Sequence, residues 1–218
     1  MGGGGAGPRT IVKICGLTRL EDARGAVAAG ADWLGFVVLG ESPRRIAIQE
    51  VAMIAGALPG VQSVAVMVSP TPDQALELAT MARVQRVQLH RVDPWAWPER
   101  FPLPMTFAVP VAPDGSLGAP LPRSEHLVML DGTHATRAGG TGERVPLETA
   151  RVVAATRDVI LAGGLDAASV SEALDVVRPF GVEASSRLES APGIKDLDLV
   201  RRFVAAVRAW DERDRDRT

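Results

Sequence analysis

A short apolar run followed by a stretch patterned for a helix recurs along this chain, and that alternation limits the folds open to it more than any other feature. The runs are Ile11–Cys15, Trp33–Leu39, Ser63–Val68, Arg86–His90, Met105–Ala112, Leu127–Asp131, Val159–Ala162 and Gly181–Ser185. They are rich in Val, Ile and Leu and largely lack polar alternation, as strands covered on both faces should be. Between them, Thr18 and Glu21 have the spacing of a capping box that opens a first helix. Asp166 is placed to cap a helix carrying Val170, Ala173, Leu174 and Val177 on one face. Leu197, Val200, Val204 and Val207 repeat that stripe near the C-terminus. The gap Pro113–Glu125 is crowded with Pro, Gly and Ser, so the fifth helix is expected to be short or missing.

Eight parallel-type strands with helices between them predict an α/β fold, a single (β/α)8 barrel. The competitor is an open doubly wound sheet, which usually carries a Gly-rich dinucleotide turn after its first strand. Cys15-Gly16-Leu17-Thr18 is not such a turn. A length of 218 residues suits one barrel. The barrel is expected over residues 10–210, with a flexible Gly-rich leader over 1–9 and a solvated charged tail over 211–218. Val92–Pro104, rich in Pro and Trp, is irregular but too short to divide the chain into domains.

Composition excludes several classes of function. Lys and Arg number 24 against 26 Asp and Glu, a formal charge of −2, so no basic excess points to nucleic acid or an anionic membrane. A single Cys cannot form an intramolecular disulfide, and three scattered His give no zinc-ligand spacing, so no metal is expected. No apolar run approaches the ~18 residues of a spanning helix. No signal-peptide pattern is seen, which predicts a cytoplasmic protein.

In a barrel, chemistry gathers at the C-terminal ends of strands and in the loops after them. That rule selects Cys15, the Ser42-Pro43-Arg44 loop, His90, Asp131, Gly163-Gly164 and the stretch from Glu183 to Ser186. Cys15 reads either as a small buried hydrophobe or as a thiol whose ionisation is favoured by the N-terminus of the following helix. Asp131 reads as a turn-former or as an acid/base group. As a pair across the mouth they suit removal of a proton from carbon by one group and its delivery to oxygen by the other. Gly163-Gly164 and Ser185-Ser186 suit a phosphate held by backbone N–H groups, although paired Gly also makes plain turns. Gly139-Gly140-Thr141-Gly142 reads as a flexible loop or a mobile lid. His90 is expected to hydrogen-bond a neighbouring loop.

Several of these residues belong to longer motifs. Lys13-Ile14-Cys15-Gly16-Leu17-Thr18, Glu21-Asp22-Ala23, Gly30-Ala31-Asp32, Gly35-Phe36-Val37 and Ser42-Pro43-Arg44 occur in that order. They are followed by Val87-Gln88-Leu89-His90, Gly139-Gly140-Thr141-Gly142, Ala162-Gly163-Gly164-Leu165 and Pro192-Gly193-Ile194-Lys195-Asp196. Together the motifs resemble phosphoribosylanthranilate isomerase of tryptophan biosynthesis, over about Val12 to Val207. The resemblance implies a single-domain barrel that needs no cofactor and acts on a small phosphorylated substrate, as a monomer or homodimer. The implied reaction opens the ribose ring of phosphoribosylanthranilate and completes an Amadori rearrangement. By position, Cys15 matches the general base at the sugar C2 carbon and Asp131 the general acid at the ring oxygen. Arg44 matches the residue holding the anthranilate carboxylate. Gly163, Gly164, Ser185 and Ser186 match the phosphate-binding backbone. His90 and Glu183 join the substrate-binding set, and Arg187 the phosphate set.

The chain also departs from the family pattern. Where the family has Val-Asp-Val-Ser-Ser-Gly-Val-Glu, it reads Val182-Glu183-Ala184-Ser185-Ser186-Arg187-Leu188-Glu189. Glu183 carries an extra methylene, and Arg187 replaces a Gly beside the phosphate site, where it adds a charged contact or fills space the backbone needs. Phe-Asp-Trp becomes Val145-Pro146-Leu147, and Leu-His-Gly becomes Leu89-His90-Arg91. These departures leave two further readings: an isomerase for a different N-glycosylamine, and a barrel that binds a phosphorylated ligand without turnover.

Overall fold

The computed structural model of the chain describes residues 9–132 and 144–217. The first eight strands are β1 (Ile11–Ile14), β2 (Trp33–Leu39), β3 (Gln62–Val68), β4 (Arg86–His90), β5 (Met105–Val111), β6 (Leu127–Gly132), β7 (Val159–Leu161) and β8 (Gly181–Ala184). Each pairs in parallel with the next and β8 returns to β1, closing the barrel. Every apolar run of the sequence is one of these strands, with ends shifted by at most a residue. A strand buried on both faces has no polar side, so a continuous apolar run is enough to locate it.

The helices are α1 (Leu20–Ala29), α2 (Ile48–Ala57), α3 (Pro72–Ala82), α4 (Leu147–Ala154), α5 (Val170–Val177) and α6 (Leu197–Arg215). As expected, no helix joins β5 to β6. None joins β4 to β5 either, because Pro94, Pro98, Pro102 and Pro104 remove the backbone donors a helix needs. Trp97 covers that flank instead, packed edge-on to Phe101 and Phe107 with ring centroids 5.6 and 6.1 Å away.

Alternation divides the core in two. On β1, Val12 and Ile14 join the large layer beneath the helices, which includes Phe36 and Phe203. Lys13 and Cys15 take the opposite face, inside the barrel. The lower interior is filled by Trp33, Val64, Met129, Ile160 and Ala162, while Cys15 packs higher up with Val37 and Val66.

Three local expectations are corrected. The Thr18–Glu21 capping box does not form: Arg19 is the N-cap of α1 and pairs with Glu21, while Thr18 Oγ1 donates to the Gly193 carbonyl at 2.6 Å. The cause is a hairpin between β8 and α6, made of β9 (Glu189–Ala191) and β10 (Ile194–Lys195), which brings that carbonyl over the start of α1. Asp166 sits one turn too early to cap α5. It accepts from the Ala168 and Ser169 N–H groups, and Ser169 is the N-cap. Finally, the charged segment from 211 is not a solvated tail through Arg215, because α6 runs through it. Asp211 continues the buried stripe of Val204 and Val207 and accepts from the Thr10 N–H and hydroxyl at 3.1 and 2.6 Å. Arg208 bridges Asp211 to Asp32, so these charges face one another rather than water.

Candidate active site

The mouth of the barrel is built around a buried ion pair. Closure sets Lys13 on β1 beside Glu183 on β8, and the Lys13 ammonium donates to Glu183 Oε2. Both side chains are almost wholly shielded from solvent, and a charge in such a place persists only when paired. Lys13 also hydrogen-bonds the Cys15 sulfur, its neighbour two residues along the same face. Gly35 on β2 makes the room: a Cβ there would lie 2.8 Å from Cys15 Sγ and 2.9 Å from Lys13 Nζ.

Cys15 is 6% exposed, and burial first, then the Glu183 carboxylate, push its thiol up to about 11. The charge and hydrogen bond of Lys13, and the charge of Lys195, pull it back only in part. The expectation that a helix N-terminus favours the thiolate is therefore corrected: α1 begins at Leu20, and burial prevails. Lys13 itself is disfavoured by burial, yet the charges of Cys15 and Glu183 outweigh that and hold its ammonium above the ordinary range.

Asp131 lies on β6, separated from β1 by β7 and β8, and borders the same cleft as Glu183. Burial and the Glu183 charge push its carboxyl up to about 7, against the pull of Lys13. One carboxylate thus raises both the thiol and the second acid. His90, at the end of β4, is lowered to about 4, chiefly by burial. Its Nε2 lies 3.0 Å from the Gln88 amide nitrogen on its own strand, and its backbone carbonyl accepts from the Ser69 N–H at 2.9 Å, the bond to a neighbouring loop expected for it.

Arg44 reaches the mouth from the loop after β2. Its stem crosses Gly16, where φ is +73° and a Cβ would lie 2.5 Å from Arg44 Cδ and 2.9 Å from Ser185 Oγ. Its Nε and Nη2 each donate to Glu189 at 2.8 Å, and Lys195 Nζ donates to Glu189 Oε1 at 2.7 Å and to the Ser185 carbonyl at 3.2 Å. Ser185 Oγ in turn donates to the Cys15 carbonyl at 3.0 Å. Gly163, Gly164, Ser185, Ser186 and Arg187 line one cleft, which Asp131 and Glu183 also border. The sequence reading missed Lys13, Gly35, Gln88, Glu189 and Lys195 as site residues. Alternation from Cys15 and from His90 would have found Lys13 and Gln88. The segment Gly139–Gly142, read as a loop or lid, lies outside the described residues. Among the described residues no cluster of His, Cys, Asp and Glu could hold a metal ion, and no helix is long and apolar enough to cross a membrane.

A family model described as N-(5'phosphoribosyl)anthranilate (PRA) isomerase matches residues 12–206. A relative of that name from Rubrobacter xylanophilus is 38% identical over 207 residues, covering 91% of this chain and 98% of the relative. A crystal structure of phosphoribosyl anthranilate isomerase from Thermus thermophilus superposes with a TM-score of 0.78 at 37% identity, covering 92% of this chain and 99% of that one. A phosphoribosyl anthranilate isomerase in complex with reduced 1-(o-carboxyphenylamino)-1-deoxyribulose 5-phosphate matches with a TM-score of 0.74 at 30% identity, covering 92% and 99%.

Proposed function

The chain belongs to the N-(5'-phosphoribosyl)anthranilate isomerase family, and from that premise we infer that it rearranges phosphoribosylanthranilate to 1-(2-carboxyphenylamino)-1-deoxyribulose 5-phosphate. It is an intramolecular aldose–ketose isomerase of tryptophan biosynthesis. Asp131, in its neutral form, delivers a proton to the furanose ring oxygen. The C1–O bond breaks, and the anthranilate nitrogen becomes the nitrogen of a Schiff base. Cys15, as thiolate, takes the proton from C2 and leaves an enolamine. That intermediate gains a proton at C1 and loses the one on its C2 hydroxyl, so the product is a ketone with the atoms of the substrate.

The observation that best supports this reading is the Asp131 carboxyl, which titrates at about 7 and so keeps a large neutral fraction at physiological pH. An ordinary Asp would hold too few protons to act as an acid there. Arg44 takes the anthranilate carboxylate, a planar acceptor suited to a guanidinium. The backbone of Gly163, Gly164, Ser185 and Ser186 takes the phosphate, with Arg187 adding a charged contact from the rim of the same cleft. Glu183 and His90 bound the space left for the sugar.

The test follows the fluorescence of phosphoribosylanthranilate, generated enzymatically in the cuvette. The purified protein is expected to accelerate its decay. Cys15→Ala and Asp131→Ala are each expected to lose about 100-fold or more of that rate. Decay that persists at the full rate in both variants overturns the assigned roles. Growth of a tryptophan auxotroph lacking this isomerase gives an independent readout of the reaction.

A further inference from the structure

We propose that Glu189 and Lys195 are positioning residues that hold the Arg44 guanidinium ready for the substrate's carboxylate. The proposal rests on the reading of Arg44 given above. A free Arg at the rim of a barrel would surrender several rotamers on binding an anion. Here the side edge of the guanidinium, Nε with Nη2, is already occupied by both oxygens of Glu189 at 2.8 Å. The end edge, with Nη1, makes no hydrogen bond among the described residues and is left for a second planar acceptor.

Charge explains why Lys195 is needed. Arg44 with Glu189 alone would be neutral and would attract no anion. Lys195, wholly shielded and 2.7 Å from Glu189 Oε1, restores one net positive charge to the cluster. An incoming carboxylate supplies the missing anion. The geometry is rigid because Glu189 and Lys195 are register partners in the β9–β10 hairpin. That hairpin is tied to the first βα unit by the Lys195 N–H to Asp22 Oδ2 at 3.0 Å and by the Thr18 hydroxyl to Gly193.

Steady-state kinetics of the full chain on two substrates test this. One is phosphoribosylanthranilate, and the other is the analogue made with aniline, which lacks the carboxylate. Glu189→Gln is expected to raise KM for the first about tenfold while kcat stays within about twofold. Kinetics on the aniline analogue should not change. In an Arg44→Met background, Glu189→Gln should add no further loss. Lys195→Met is the second variant: it removes a charge that favours the Cys15 thiolate and so lowers kcat alike on both substrates, while the rise in KM is confined to phosphoribosylanthranilate. An unchanged KM for phosphoribosylanthranilate, or an equal rise in KM on both substrates, overturns the proposal while the isomerase activity stands. Failure of the wild type to turn over phosphoribosylanthranilate overturns the functional reading and this inference with it.

Discussion

Replacing Glu183 with Gln keeps the shape of the side chain and removes a charge that Cys15, Asp131, His90 and Lys13 all sense. With the thiol at about 11 and the carboxyl at about 7, the reactive form, thiolate beside neutral acid, is populated at about one part in ten thousand between those pH values. On the proposed roles, activity is expected to rise with pH below about 7, because thiolate accumulates while Asp131 stays protonated. Above that value each gain in thiolate is cancelled by loss of the acid, so the profile is expected to be flat up to about 11. A unit charge ~6 Å away in an effective dielectric of ~20 is worth about 2.8 kcal/mol, or about two pKa units. Its removal lowers both groups. The thiol falls further, because Lys13 loses its carboxylate partner and keeps the hydrogen bond to the sulfur. Alkylation by iodoacetamide reads this without substrate, since Cys15 is the single thiol of the chain. The midpoint of its pH dependence is expected to fall from about 11 to about 9, and the acid limb of kcat/KM to move below its wild-type position. Glu183→Asp, which keeps the charge, should stay near wild type. A Glu183→Gln midpoint at or above the wild-type value would mean that Lys13 had given up its proton instead, and the electrostatic account would fail. Leaving Lys13 unpaired is also expected to destabilise the fold by about 3–5 kcal/mol, visible in thermal unfolding.

Three other perturbations probe separate parts of the argument. Gly35→Ala sets a methyl 2.8 Å from Cys15 Sγ and 2.9 Å from Lys13 Nζ, so turnover should fall about 100-fold, while overpacking costs about 1–3 kcal/mol of stability. Turnover near wild type would show that this close approach does not set the thiol's position. His90 is neutral above about 4, so His90→Gln should leave the limb near 7 in place, and loss of that limb would reassign the ionisation from Asp131 to His90. Asp211→Ala removes the acceptor for the Thr10 N–H, the Thr10 hydroxyl and Arg208. It should cost about 1–3 kcal/mol and lower Tm by about 2–10 °C with kcat unchanged; an unchanged Tm would mean that the end of α6 clasps nothing.

The barrel was legible because each of its strands is a local apolar run, and Cys15 and Asp131 were legible because each ends one. The residues that tune them depend on longer-range relations. Lys13 interrupts the first run with a charge, and its partner Glu183 lies 170 residues away in the eighth. Only closure of β8 onto β1 makes the two neighbours. The signal was nevertheless present. A charge inside a strand covered on both faces is too costly to leave unpaired, so a Lys in the first run and a Glu in the last imply each other once the sheet is a barrel. Reading the runs as largely without polar alternation hid that implication, and it also hid the shared face of Lys13 and Cys15. Glu189 and Lys195 offered less. Their hairpin is built from strands of three and two residues with no apolar run, and its pairing is visible only after folding. The same hairpin diverted Thr18 from the cap its spacing promised, through the Gly193 carbonyl. In this chain, local pattern identifies groups at the ends of strands, whereas their ionisation comes from burial first and then from a charge that crosses the closing seam of the barrel.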